Sequence, residues 1–187
     1  MKTVRISWAV MVGAALALSA SLASAQVNSG AQTIALNANL AESLTLNLSA
    51  NNVSFTLNAG SASNPGSGTV TATTTWTLGA GRNAVNVYAY FVSAAAALTD
   101  GAAGDNIPSS AFFISDNSGT AAALTNTVAF GAANAGLRLA NVPITAANRS
   151  SSRTDAMTFN INLTGGTLGQ LPANTYTGTL NIQAQAL

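Results

Sequence analysis

The chain contains no histidine and no cysteine, so its reactive groups are five carboxylates, six basic side chains, hydroxyls, amides and aromatic rings. That removes the commonest general base, the thiol nucleophile and the ligands of nearly all zinc and copper sites. A serine nucleophile has no histidine to take its proton, and no lysine beyond Lys2 to replace it. Glu42 and the aspartates are the residue type of a glycosidase acid and base, yet nothing in their spacing sets two of them on one cleft. Asp100 and Asp105 lie in a glycine-rich loop with Asn106 and offer calcium-type oxygen ligands. Their spacing fits no calcium loop, and Asp-Gly pairs are common turn formers. Asp116-Asn117-Ser118-Gly119 reads as a turn for the same reason.

Two further groups draw attention. Arg149, Arg153 and Asp155 fall close together, and two guanidinium forks can hold a carboxylate or a carbohydrate. The simpler reading is a solvated loop with a surface ion pair of little energetic weight. Trp76, Tyr88 and Tyr90 suit a sugar-stacking platform, although large aromatics in strands usually serve a core. Asn47, Asn52, Asn148 and Asn162 begin glycosylation sequons that carry no reading in a chain of bacterial character. No catalytic, cofactor or metal constellation emerges, and a non-enzyme is expected.

These groups belong to a chain built for export. Lys2 and Arg5 precede an apolar run from Trp8 to Leu18, and Ala23-Ser24-Ala25 follows. This is the layout of a signal peptide over residues 1–25, with Gln26 the first mature residue. The run is shorter than the ~20 residues of a spanning helix, so no transmembrane segment is expected in the mature chain. Lipidation would need a cysteine. Secretion to the periplasm or cell surface is the expected location. Loss of Lys2 and Arg5 leaves four arginines against five acids. So sparse a charge gives no basic surface for nucleic acid or anionic lipid.

The mature residues 26–187 read as one domain with a core of its own. Period-two alternation, which segregates apolar and polar side chains onto opposite faces of a strand, runs through most of it. Ile34, Leu36, Ala38 and Leu40 form a first such run. Leu44 to Leu48 and Val53 to Leu57 suggest a hairpin. Val70, Ala72, Thr74, Trp76 and Leu78 share one face of a threonine-rich strand. From Ala84 to Val92 both faces are apolar, which marks a central or covered strand. Shorter runs follow at Phe112 to Ile114, Leu124 to Phe130 and Leu137 to Val142, with Ile144 to Asp155 as a polar link. Met157 to Leu163 and Tyr176 to Gln183 read as a terminal hairpin around Gly165-Gly166. Nine or ten short strands without a useful helix predict an all-β fold, a single antiparallel β-sandwich of Ig-like kind.

The closing run Leu171-Pro172-Ala173-Asn174-Thr175-Tyr176-Thr177-Gly178-Thr179-Leu180-Asn181-Ile182 resembles the last strand of bacterial spore coat protein U-like and chaperone–usher pilin domains. In those domains Leu-Pro-Ala-Gly-Thr-Tyr precedes an alternating strand; Asn174 stands at the usual glycine, and the cysteines common there are absent. The resemblance implies a coat or fibre subunit completed by a strand from another subunit, with an export chaperone as a further partner. Ile34, Leu36, Ala38 and Leu40 have the pattern of a donor strand, and Tyr176, Leu180 and Ile182 that of the pairing C-terminal strand. An ordinary first strand explains the 34–40 pattern equally well. The functional expectation is a non-catalytic structural or adhesive surface protein. A secreted or periplasmic carbohydrate-binding module is the alternative.

Overall fold

The computed structural model describes residues 29–101 and 104–187; the expected signal peptide lies outside them. The chain divides into two compact units, Met1–Ala38 and Asn39–Leu187. In the first, residues 29–38 form no strand or turn and are exposed. The second contains every strand assigned among the described residues.

The described residues are all-β, with antiparallel pairing throughout. Eleven strands follow in order: β1 (Ser43–Leu48), β2 (Asn64–Pro65), β3 (Val70–Thr77), β4 (Ala84–Tyr90), β5 (Leu98–Thr99), β6 (Asn106–Ile107), β7 (Phe112–Asp116), β8 (Ala122–Ala123), β9 (Gly136–Pro143), β10 (Ser150–Ile161) and β11 (Asn181–Ala186). A larger sheet runs β1-β3-β10-β7-β8, with β2 also on β10. A second runs β11-β4-β9, and β5 pairs with β6. Among the described residues no helix is long and apolar enough to cross a membrane.

The two main sheets pack face to face. One core cluster unites Val70, Phe112, Met157 and Ile161 from the larger sheet with Ala89 and Phe91 from the region of β4. Phe112 sits at its aromatic centre, with its ring 5.3 Å from Phe91, 5.8 Å from Phe55 and 6.0 Å from Phe159. Each such ring pair adds about 0.5–1.5 kcal/mol beyond the area it buries. A smaller cluster gathers Trp76, Leu78 and Val85. Trp76 belongs to this core: it is 2% exposed, and its indole N–H donates to the Asn148 carbonyl at 2.9 Å. The alternation along Val70 to Leu78 accounts for β3, since every second residue there is buried.

Several pairings differ from those read in the sequence. The expected terminal hairpin does not form: β10 pairs with β3, β7 and β2, whereas β11 crosses to the other sheet and pairs with β4. Period-two pattern says which face of a strand is apolar but not which neighbour supplies its ladder. For the same reason β1 pairs with β3 instead of turning back on Val53–Leu57. That segment keeps Val53, Phe55 and Leu57 turned to the core, but its ladder is reduced to a single bridge from Phe55 to Gly66. Leu124 to Phe130 is a loop apart from a bridge at Asn126. The supposed polar link Ile144–Asp155 is strand from Ser150 onward, and β10 begins there.

Candidate functional site

Between the sheets lies a half-enclosed groove of about 780 Å³. Its floor is core: Val70, Phe91, Phe112, Met157, Phe159 and Ile161. Its two walls are stretches of chain on either side, Leu48–Leu57 and Ala173–Ile182. Among the described residues no backbone hydrogen bond joins one wall to the other, and Ala50–Val53 and Gly178–Leu180 make none at all. Such backbone groups need a partner, from water or from another strand. The nearest strand edges are also open, because β1 pairs only with β3 and β11 only with β4.

The walls are fixed in place from outside the groove. Thr177 and Thr99 exchange both backbone hydrogen bonds at 2.9 Å, and the Asn174 amide donates to Asp100 Oδ2 at 3.0 Å. Gly178 permits this approach, because a Cβ there would run into the Ala97 carbonyl. On the other side, buried Asn64 accepts the Asn58 N–H at 2.7 Å and donates to the Ile161 carbonyl at 2.9 Å, which ties the end of the first wall to β10. The groove is therefore a slot with an apolar floor, mixed polar and apolar walls, and unladdered backbone along both rims. That arrangement suits an extended peptide better than a reacting centre.

The structure places the sequence-derived residues as follows. Ile34, Leu36 and Leu40 are 85%, 89% and 83% exposed, and neither they nor Ala38 lie in a strand. The ordinary first strand expected there is absent. Ile182 lies in β11 opposite Ala89, while Tyr176 and Leu180 precede that strand and pack against the core. The Tyr176 hydroxyl donates to the Pro172 carbonyl at 2.9 Å. Burial, then the Asp100 and Asp105 carboxylates, raises its phenol above the usual value. No group of three or more carboxylates able to hold a metal occurs among the described residues. Tyr88 and Tyr90 lie on the outer face of β4, away from Trp76 in the core.

The basic cluster near residue 150 is not a solvated loop. Asp155 is wholly buried on β10, and its Oδ1 accepts Arg153 Nε at 2.6 Å, Arg153 Nη2 at 2.5 Å and Asn117 Nδ2 at 3.3 Å. Asp116 joins through Arg153 at 3.5 Å. Burial, followed by the charge of Asp155, raises Asp116 above the ordinary carboxylate value. The fold thus does bring two carboxylates together, but under an arginine and with one fully buried, which suits an internal clamp on the turn after β7. Glu42 lies elsewhere, paired with Arg82 at 2.9 Å. Arg149 makes no ion pair among the described residues and takes no part in the clamp.

Sequence reasoning missed the groove, because its floor residues come from strands far apart in the chain. The only local signal was the apolar alternation of Val53, Phe55 and Leu57 without a partner strand. No protein-family model, curated protein or solved structure matches the chain.

Proposed function

We propose that this chain is an exported, non-catalytic structural or adhesive surface protein whose copies join by β-strand addition. The observation that carries the reading is the coexistence of a groove with an apolar floor and unladdered rims and a separate run, Ile34, Leu36, Ala38 and Leu40, that is exposed and unpaired. Alternating side chains in a donor fill successive pockets, while its backbone completes the ladders on both sides. Burying each of the three large side chains contributes about 1.5–3 kcal/mol.

Chain reach favours a second molecule as the donor. Leu40 is three residues from Ser43 and can lie at most about 10 Å from it. The groove starts at Leu48, a further five residues along β1, or roughly 17 Å from Ser43. Leu40 therefore stays about 7 Å or more from Leu48 of its own chain, at the edge of the groove, whereas a second copy can lay the whole run along it. An export chaperone would occupy the groove before assembly.

The test is size-exclusion chromatography with light scattering on the chain from Gln26, beside one lacking Gln26 to Leu40. Heat-resistant polymers of the longer chain, with the shorter one remaining small, are expected. A longer chain that stays a stable monomer would refute assembly through this segment.

A further inference from the structure

The outer face of the three-stranded sheet, remote in character from the groove, carries a second hollow, and its construction begins with a break in register. β4 and β9 pair residue for residue from Ala84 to Val87, but the register shifts between Val87 and Tyr88. Ala140 lies opposite Val87 and Arg138 opposite Tyr88, so Leu139 is an extra residue, a β-bulge. Leu137 and Leu139 both pack on the core. The bulge therefore keeps two leucines inward while Arg138 comes to stand across from Tyr88 on the outer face.

A loop then covers part of that face. Asn126 and Gly136 exchange backbone hydrogen bonds at 2.8 and 2.9 Å, and a Cβ on Gly136 would collide with Val128. Phe130 lies edge-on to Tyr88 with centroids 5.8 Å apart. The hollow left between loop and sheet has a volume of about 430 Å³ and is lined by Tyr88, Asn126, Thr127, Val128, Ala129 and Arg138. It is more open than enclosed, and Asn126, Thr127, Ala129 and Arg138 of its lining are exposed.

A relay of side chains next to the hollow ends on Tyr88, one of its lining residues. Asn141 Nδ2 donates to Asn86 Oδ1 at 2.5 Å, and Asn86 Nδ2 donates to the Tyr88 hydroxyl at 3.0 Å. That relay uses the acceptor side of the phenol oxygen. Tyr88 is 8% exposed, yet its own proton meets no acceptor among the described residues. Arg138, beside it, makes no ion pair or hydrogen bond among them. Tyr88 and Arg138 both line the hollow, and a phenol beside a guanidinium fork matches a planar oxyanion, which a guanidinium binds in bidentate fashion. Thr127, which accepts the Asn134 N–H at 3.1 Å, keeps its hydroxyl proton for a ligand, and the Asn126 amide adds both a donor and an acceptor. Val128 and Ala129 supply an apolar wall. Carboxylate, hydroxyls and one apolar ring face are together the chemistry of an acidic sugar.

We propose that this hollow binds a uronate residue of an acidic glycan, with Arg138 and Tyr88 taking the carboxylate and Asn126 and Thr127 the ring hydroxyls. The site is independent of strand addition and would act in monomer or polymer. Calorimetric titration of the chain from Gln26 with galacturonate and glucuronate trimers, with neutral maltotriose and with acetate, tests it. At least one uronate trimer is expected to bind at least about tenfold more tightly than maltotriose or acetate, as a charge-assisted hydrogen bond would give. Arg138→Gln should remove that advantage without lowering the melting temperature, because Arg138 holds nothing else in place, and Tyr88→Phe should weaken it several-fold. Failure of both uronates to bind, or an unchanged affinity in Arg138→Gln, would overturn the proposal. Equal binding of acetate would reduce the site to a simple anion site and overturn its sugar specificity.

Discussion

Replacing Asp155 by alanine should destabilise the fold by about 3 kcal/mol, towards the lower end of what breaking a buried ion pair costs. The carboxylate is wholly buried and takes both Arg153 contacts and the Asn117 amide on one oxygen. Without it Arg153 keeps only Asp116, at 3.5 Å. The Arg153 side chain is 33% exposed, so water screens part of the charge left behind. That is why the lower end applies. In a domain of this size each kcal/mol shifts the melting temperature by about 2–4 °C, so the loss should be about 6–12 °C. Circular dichroism with heat and urea reads both quantities. Arg153→Ala should cost more, because it strands a fully buried carboxylate. The double variant Arg153→Met, Asp155→Leu should return close to the native value, since an apolar pair of similar volume balances a buried ion pair. A loss below about 1 kcal/mol for Asp155→Ala would show that the pair behaves as an exposed one and would refute this account.

Two further outcomes follow from the same geometry. Asp116, raised by burial and then by Asp155, adds stability while protonated, below its unfolded pKa of about 3.9. It loses that contribution as pH rises through the higher folded value. Asp116→Asn stays neutral, so its melting temperature relative to the native chain should climb between roughly pH 3 and pH 7. Glu42, lowered by the Arg82 and Gly79 hydrogen bonds, acts in the opposite sense and cancels in this difference; a flat or falling difference in thermal melts would exclude the assignment. Gly178→Val should cost about 1–3 kcal/mol, because the new side chain meets the Ala97 carbonyl and pushes the groove wall off β5. Faster amide exchange at Thr177 and Thr99 should accompany the loss, and unchanged exchange would argue that the wall is not held there.

The amino-acid sequence by itself determines the fold class and most of the faces. Val70 to Leu78 bury alternate residues because their types alternate, and β4 is apolar on both sides because it lies centrally under the Phe130 loop. Those are local properties, set by side-chain chemistry at a spacing of two. Pairing was not legible. The chain after Ile161 could have turned back on β10, but tertiary packing carries it to β4 instead. Likewise Asp155 reads as a loop charge until the register of β10 against β3 and β7 turns it inward, opposite Ala72. The groove and the Tyr88–Arg138 hollow depend on the same kind of information. One is bounded by walls more than a hundred residues apart in sequence. The other depends on a one-residue bulge that exchanges the faces of Arg138 and Leu139. A register shift of one residue reverses every side chain beyond it, and only the assembled sheets fix where that shift falls.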